Sequence, residues 1–148
     1  MDRIDREILG SVTQHGRITV SELASDLRLS ASATRDRIRR LEDRGVISGY
    51  RATVSETTLG YPLDALVEID LRPDTDLGQF EQALREQPAV VEAIHATGEH
   101  DYIVRLRCED TDELHRVVRA FKTEFGATRT TTRLILSSTI EPRPRLPS

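Results

Sequence analysis

The sequence predicts an α+β chain of two small domains, the first helical and the second mixed. Apolar residues recur at helical spacing through residue 45 and alternate at strand spacing after residue 61. The change falls between Ser55 and Pro62, and 148 residues leave room for two such domains. We expect a helical domain, a mixed domain and an extended proline-containing tail, at 1–55, 61–141 and 142–148.

Three helices are predicted in the first domain. Thr19 and Glu22 have the spacing of a capping box, so a short second helix follows them. Ser30 is suited to cap a third helix that runs to Gly45. The stretch after Gly45, VISGYRATV, is rich in β-branched residues and predicts a short hairpin or wing strand. The first helix is indicated by one shared apolar face: Ile4, Ile8, Leu9 and Val12.

The second domain alternates strands and helices. The order βαββαβ predicts a ferredoxin-like unit, with an antiparallel four-stranded sheet and both helices on one face. Its strands are predicted at Ala65–Leu71, Ala89–Thr97, Tyr102–Cys108 and Ala127–Ile140. Its helices are marked by apolar spacing: Leu77, Phe80 and Leu84, then Leu114, Val117, Val118, Phe121 and Phe125.

The composition is typical of a globular protein, with 37% hydrophobic and 31% charged residues. No apolar run approaches the roughly 20 residues that span a bilayer, and the N-terminus is charged from its second residue. Cys108 is the single cysteine, which excludes an intramolecular disulfide and a cysteine-clustered zinc site. We therefore expect a cytoplasmic protein without a metal or cofactor.

The distribution of charge favours a nucleic-acid partner even though the net charge is −4. The stretch from Arg28 to Arg44 holds six arginines against three acids, inside an otherwise acidic chain. A basic stripe on one element is typical of a localised phosphate-binding surface.

The third helix has two contrasting faces at about 100° per residue. Ala31, Thr34, Ile38 and Leu41 share the stripe that faces the core. The opposite face carries Ser32, Ala33, Asp36, Arg39 and Arg40, with Arg35 and Arg37 on its flanks. Small residues allow close approach to a major groove, and arginines reach guanine edges or phosphates. The alternative is a solvated face with ion pairs such as Asp36 with Arg40.

Three stretches resemble the Lrp/AsnC (feast/famine) transcriptional regulators. They are MDRIDREIL, HGRITVSELASDLRLSASATRDRIRRLEDRGVISGY and TGEHDYIVRLRCED. The resemblance covers nearly the whole chain and implies a sequence-specific DNA-binding regulator with a winged helix-turn-helix and an amino-acid-binding βαββαβ module. It implies that the residues facing DNA include Ser32, Ala33, Asp36, Arg37 and Arg40.

The resemblance also implies an effector site at the turn from Thr97 to Tyr102, at an interface between dimers. Gly98 lets backbone N–H groups meet a carboxylate, and Asp101 is suited to an α-ammonium group. The candidate effector residues are Thr97, Gly98, His100 and Asp101 of the turn and Thr139 across the interface. The alternative is an ordinary hairpin connection, in which glycine makes the turn and the aspartate bonds nearby backbone.

We expect homodimers that assemble further into tetramers or octamers and read a pseudo-palindromic operator. The sheet face without helices should be apolar, since Val90, Ile94 and Ile103 are predicted there.

Two other functions remain open beside this one. Some proteins that resemble this family bind tetrapyrroles and decarboxylate them, and His95 and His100 keep that possibility open. A sensor that regulates proteins without touching DNA is the second. The basic third helix argues against both, so we expect no enzyme.

Overall fold

The computed structural model describes residues 1–140 and 144–146. Three helices come first: α1 (Arg3–Gln14), α2 (Val20–Leu27) and α3 (Ala31–Asp43). Both predicted caps are confirmed. Thr19 and Glu22 form the capping box of α2, and Ser30 Oγ accepts the Ala33 N–H at 3.2 Å at the start of α3. The three helices pack around a small aliphatic core of Ile8, Leu9, Leu23 and Leu41.

The predicted wing strand is wrong. Residues 46–54 contain no strand, and within the described residues no neighbouring strand pairs with them. A strand needs a partner for its backbone N–H and C=O groups, and β-branched composition alone does not supply one. Ala31 also differs from expectation, because as the first residue of α3 it is exposed and not in the core.

The second half confirms the ferredoxin-like order. It runs β1 (Leu63–Leu71), α4 (Leu77–Glu86), β2 (Val90–His95), β3 (Tyr102–Cys108), α5 (Thr111–Thr123) and β4 (Ala127–Leu134). The sheet order is β2-β3-β1-β4, with antiparallel pairing throughout. The predicted last strand was too long, since β4 ends at Leu134.

One face of this sheet is an apolar core. Along β3 every second residue is buried, from Tyr102 to Cys108, as strand alternation requires. These side chains pack with those of β1 and with Phe80 and Leu84 of α4 and Val117 and Phe121 of α5.

The other face, here named the open face, is charged and not apolar as predicted. By register it carries Asp64, Leu66, Glu68 and Asp70 of β1, Ile103, Arg105 and Arg107 of β3, Glu92 and Ile94 of β2, and Arg129, Thr131 and Arg133 of β4. Val90 is not among them. It pairs with Leu106 and packs against the core, because a register shift between Val90 and Glu92 changes the face.

The chain divides into two compact units. Ser55–Thr139 forms one unit, and Met1–Val54 with the described residues after Thr139 forms the other. Residues 144–146 have no regular secondary structure, while the rest of the predicted tail at 142–148 lies outside the described residues. No helix in the described part of the chain is long and apolar enough to cross a membrane.

Candidate DNA-binding surface and effector turn

The outward face of α3 is exposed as its spacing predicted. Ser32, Asp36, Arg39 and Arg40 are exposed, and Ala33 is half-buried. Thr34 on the opposite side is fully buried, and its Oγ1 donates to the Ser30 carbonyl at 3.1 Å. The small residues therefore lie at the N-terminal end of the helix and the arginines towards its middle and end.

Arg37 has a different environment from the one predicted. Its Nη1 donates to Asp2 Oδ2 and to Asp5 Oδ1, both at 2.7 Å. The two carboxylates raise the pKa of Arg37. The pKa of Asp2 is lowered, first by the Asp5 backbone N–H that it caps and then by Arg37. This guanidinium is thus neutralised by the start of α1, a contact that helical spacing within α3 could not reveal.

Most of the other arginines on α3 and beside its two ends have no described ion pair. Within residues 1–140 and 144–146, no ion pair forms at Arg28, Arg35, Arg40 or Arg44. Arg39 reaches Asp43 only at 3.9 Å, with both side chains largely exposed. The Asp36–Arg40 pair of the alternative reading is not among the described ion pairs. The face of α3 consequently carries positive charge that the fold leaves available.

The Gly98–Asp101 turn is anchored to the first strand of the sheet. The Asp101 N–H donates to the Ile69 carbonyl at 3.0 Å, and Asp101 Oδ2 accepts the Leu71 N–H at 2.8 Å. Gly98 has φ +133°, a conformation that L side chains rarely adopt, and open space lies around its Cα. Asp101 therefore stabilises the hairpin, as expected for an ordinary hairpin connection. The backbone at Gly98 is open to a ligand.

His100 connects the turn to residues of β1 on the open face. Its Nδ1 lies 2.6 Å from Asp70 Oδ1 and its Nε2 3.4 Å from Glu68 Oε2. Arg133 Nη1 binds the other Glu68 oxygen at 2.7 Å. His100 is only 16% exposed, so it is a structural link between the turn and β1.

The two threonines of the predicted site are not brought together in one chain. Thr97 is exposed within the turn, and Thr139 is exposed beyond the end of β4. The resemblance placed Thr139 across an interface, so a second copy would have to supply it.

A groove that sequence reasoning missed lies on the same hairpin. It encloses about 380 Å³ between α4 and β2, with Glu81, Arg85, His95 and Tyr102 in its wall. The His95 and Tyr102 rings are stacked with their centroids 4.6 Å apart, and Tyr102 Oη donates to Glu81 Oε1 at 3.0 Å. Burial and then Glu81 raise the pKa of Tyr102 to about 12. Strand alternation correctly placed Tyr102 in the core, but it gave no sign of this side pocket.

Neither the cysteine thiol nor the described acidic and histidine side chains form a reactive or metal-binding site. Cys108 is buried, and burial raises the pKa of its thiol to about 11, so the reactive thiolate is scarce. Within the described ranges, no group of three or more His, Cys, Asp or Glu side chains is arranged to hold a metal ion.

Comparison with known proteins matches both units. Residues 64–145 match the family model of the Lrp/AsnC ligand binding domain, and residues 1–48 match that of a winged helix-turn-helix DNA-binding domain. The proline dehydrogenase transcriptional activator of Rhodobacter capsulatus is 37% identical over 120 residues, which are 80% of this chain and 78% of that protein. The HTH-type transcriptional regulator LrpA of Mycobacterium tuberculosis is 31% identical over 147 residues, covering 99% and 97%. Among solved structures, the L-Met complex of the transcriptional regulator NMB0573 from Neisseria meningitidis has a TM-score of 0.89 at 28% identity, covering 99% of this chain and 96% of that one.

Proposed function

The chain belongs to the Lrp/AsnC family of transcriptional regulators, and we propose that it reads DNA through the exposed face of α3. The residues we assign to DNA are Ser32, Ala33, Asp36, Arg39 and Arg40. The observation that carries this assignment is the unpaired positive charge on that face. Arg37 was predicted to join them, but Asp2 and Asp5 already neutralise it. We assign Arg37 instead to holding α3 against α1.

A carboxylate introduced at Ser32 tests this assignment. Glutamate is tolerated in the first turn of a helix, yet it would oppose phosphates and groove edges. We expect Ser32→Glu to remove the preference for a duplex from upstream of the chain's own gene over a shuffled duplex. Thr111→Glu, in the first turn of α5, is the matched control and should bind as wild type does. Wild-type preference in Ser32→Glu would refute the assignment.

We propose that residues 61–141 form a homodimer through the open face and that dimers assemble further. The sequence predicted this dimer from an apolar sheet face, but the open face is charged. Ile94 is 47% exposed opposite Ile103. On the same face, Asp64 and Glu68 are paired within the chain with Arg105, Arg107 and Arg133. Internal pairing lowers the cost of burying such a face, because the ions lose less on leaving water. A dimer would place two DNA-binding units on a pseudo-palindromic operator.

Sedimentation equilibrium of the full chain tests the dimer. Ile94→Glu would bury an unpaired charge at the interface and should yield monomers at tens of micromolar. Leu77→Glu changes a similarly exposed apolar residue on α4 and should leave the dimer intact. Wild-type monomers, or a dimer that is indifferent to Ile94→Glu, would contradict the proposal.

We propose that a small molecule, of the amino-acid class, binds at the turn through Thr97, Gly98, Asp101 and the Thr139 of another copy, and that His100 serves this site by linking the turn to β1. The approachable backbone at Gly98 supports a carboxylate there, and Asp101 Oδ1 is the oxygen left to meet an ammonium group. The match to a ligand binding domain supports a ligand in this unit. The NMB0573 structure, for its part, is a complex with L-Met.

A thermal-shift screen with the common amino acids tests the effector site. A ligand at about 100 times its Kd should stabilise the protein by about 2.7 kcal/mol. Gly98→Val should abolish that shift, whereas Gly60→Val imposes a similar positive-φ strain in the same unit and should keep it. Asp101→Asn should weaken the response. No shift with any amino acid, or equal shifts in all variants, would leave the turn as a hairpin connection only.

We further propose that the chain is not an enzyme and works in the cytoplasm, where a regulator meets DNA. The alternative is a tetrapyrrole-binding relative with decarboxylase activity. His95 stacks on Tyr102, and His100 Nδ1 lies 2.6 Å from Asp70 Oδ1, so neither ring is disposed towards a porphyrin. A coloured preparation with a tetrapyrrole spectrum would favour the alternative, and a colourless one the regulator.

A further inference from the structure

The turn between α2 and α3 adopts a backbone conformation that its sequence disfavours. Leu29 N–H donates to the Ala24 carbonyl at 2.9 Å, and Arg28 N–H donates to the Ser25 carbonyl at 3.1 Å, so α2 ends in a Schellman motif. Arg28 occupies the left-handed position of this motif, at φ 55° and ψ 42°. Glycine usually fills that position because a Cβ atom is strained there.

Among the non-glycine residues of the described ranges, only Arg28 has a positive φ angle. Its side chain is exposed, and within residues 1–140 and 144–146 no carboxylate pairs with it. Arg37 shows the contrast, since two carboxylates hold it. The fold therefore keeps a cation at a position where it strains the backbone and forms no described side-chain contact.

The location of Arg28 relates it to DNA. It lies two residues before Ser30, the residue that caps α3. A recognition helix enters the major groove by its N-terminal residues, and the protein around that end contacts the phosphate backbone. A cation on the turn that leads into α3 is thus placed at the rim of the groove, beside the phosphates.

We infer that Arg28 binds a backbone phosphate of DNA next to the groove that α3 enters. The inference rests on the proposed binding of DNA by α3. Such a contact fixes the register of the helix and adds affinity on any sequence, because phosphates carry no base information. It also accounts for an arginine where the backbone favours glycine, since local strain persists at positions that serve function.

The test replaces Arg28 by glycine in the full chain. Arg28→Gly should lower the slope of log affinity against log salt by about one per chain, equally on the own-gene duplex and on its shuffled version. The melting temperature should not fall, because glycine suits the left-handed conformation. Arg28→Lys keeps the charge and should keep the slope. Arg85→Ala removes one cation from α4 and should leave the slope unchanged.

Anisotropy titrations at several salt concentrations between about 50 and 200 mM give all these slopes. A wild-type slope in Arg28→Gly would overturn the inference, as would an equal loss in Arg28→Lys. Arg40→Ala on the same duplexes separates this failure from that of the proposed function. An Arg40→Ala variant that loses affinity or slope while Arg28→Gly keeps the wild-type slope refutes the Arg28 contact alone. Wild-type affinity and wild-type slope in both variants refute reading by α3 as well.

Discussion

Two surfaces of this chain are rich in arginine, and they differ in how the charge is used. On the face of α3, Arg35 and Arg40 have no ion pair within the described ranges, and Arg39 has a single long one. On the open face, Asp64 binds both Arg105 and Arg107, and Glu68 binds Arg133, at 2.7 to 3.0 Å. A count of arginines therefore does not identify a nucleic-acid surface. The fraction left unneutralised by the fold is what can meet phosphates.

The largest effect on stability should come from removing Asp64, the carboxylate that pairs with two arginines of the open face. Asp64 is 10% exposed as a side chain and accepts two bonds from Arg105. Asp64→Ala would leave the Arg105 and Arg107 charges without that partner in a half-buried site. We expect a loss of about 3 kcal/mol in the free energy of unfolding, measured by urea denaturation.

Asp36→Ala is the control on the other surface. Asp36 is an exposed carboxylate on α3 with no described ion pair, so its removal should change stability by no more than about 0.5 kcal/mol. Equal losses for the two variants would erase the distinction between the surfaces.

A smaller effect should follow from His100→Gln. Glutamine does not reproduce the ring geometry that holds His100 Nδ1 2.6 Å from Asp70 Oδ1, so the turn loses this link to β1 while Asp101 keeps its own. We expect a loss of about 1 kcal/mol and faster hydrogen exchange of the amides from residue 96 to 101. His95→Gln, on the other side of the same hairpin, should leave that exchange unchanged. Unaltered protection in His100→Gln would mean that the cluster does not hold the turn.

Arg37→Ala should lower the melting temperature of the helical unit and leave DNA affinity unchanged. The effect should be smaller than that of Asp64→Ala, because Asp2 is half-exposed and water screens the pair. Arg40→Ala is the control, with unchanged melting. Weakened DNA binding in Arg37→Ala would restore the role that the sequence predicted for it.

The smallest effect is on acid stability. The pKa of Asp2 is lowered from 3.8 by the Asp5 N–H and Arg37, so its contribution is complete above that value and is lost as the pH falls through the folded-state pKa. Asp2→Asn keeps a residue that caps helices but loses the charge, and it should flatten the acid limb of a plot of melting temperature against pH. Asp26→Asn, which removes an exposed carboxylate from α2, is the control and should leave the acid limb unchanged. An unchanged acid limb in Asp2→Asn would show that the pair adds nothing.

Much of the fold was predictable because its signals are local. Helix periodicity and the caps at Thr19 and Ser30 depend on residues within one turn, and strand alternation placed the core face of β3 correctly. Val90 was misplaced because one extra residue in an edge strand exchanges its faces, and no spacing rule announces such a shift. The wing strand was wrong because pairing is not a local property.

The candidate site shows the same division. Exposure of the α3 face followed from its spacing, but the capture of Arg37 joins residues 32 and 35 positions apart. The engagement of His100 likewise depends on β1 and β4, which come together only in the folded sheet. Charge pairing between distant segments is thus the part that a single sequence hides.

Salt-dependent DNA binding of Arg40→Ala and Arg133→Ala shows whether ion pairing within the fold decides which arginines meet DNA. Each variant removes one arginine, the first an arginine of α3 without a described ion pair and the second an arginine of the open face that is paired with Glu68. On the own-gene duplex, Arg40→Ala should bind about 1–3 kcal/mol more weakly if it loses a base contact, or with a salt slope reduced by about one if it loses a phosphate contact. Arg133→Ala should match the wild type in both quantities. Equal effects of the two substitutions, or an effect of Arg133→Ala alone, would mean that ion pairing within the fold does not decide which arginines bind DNA.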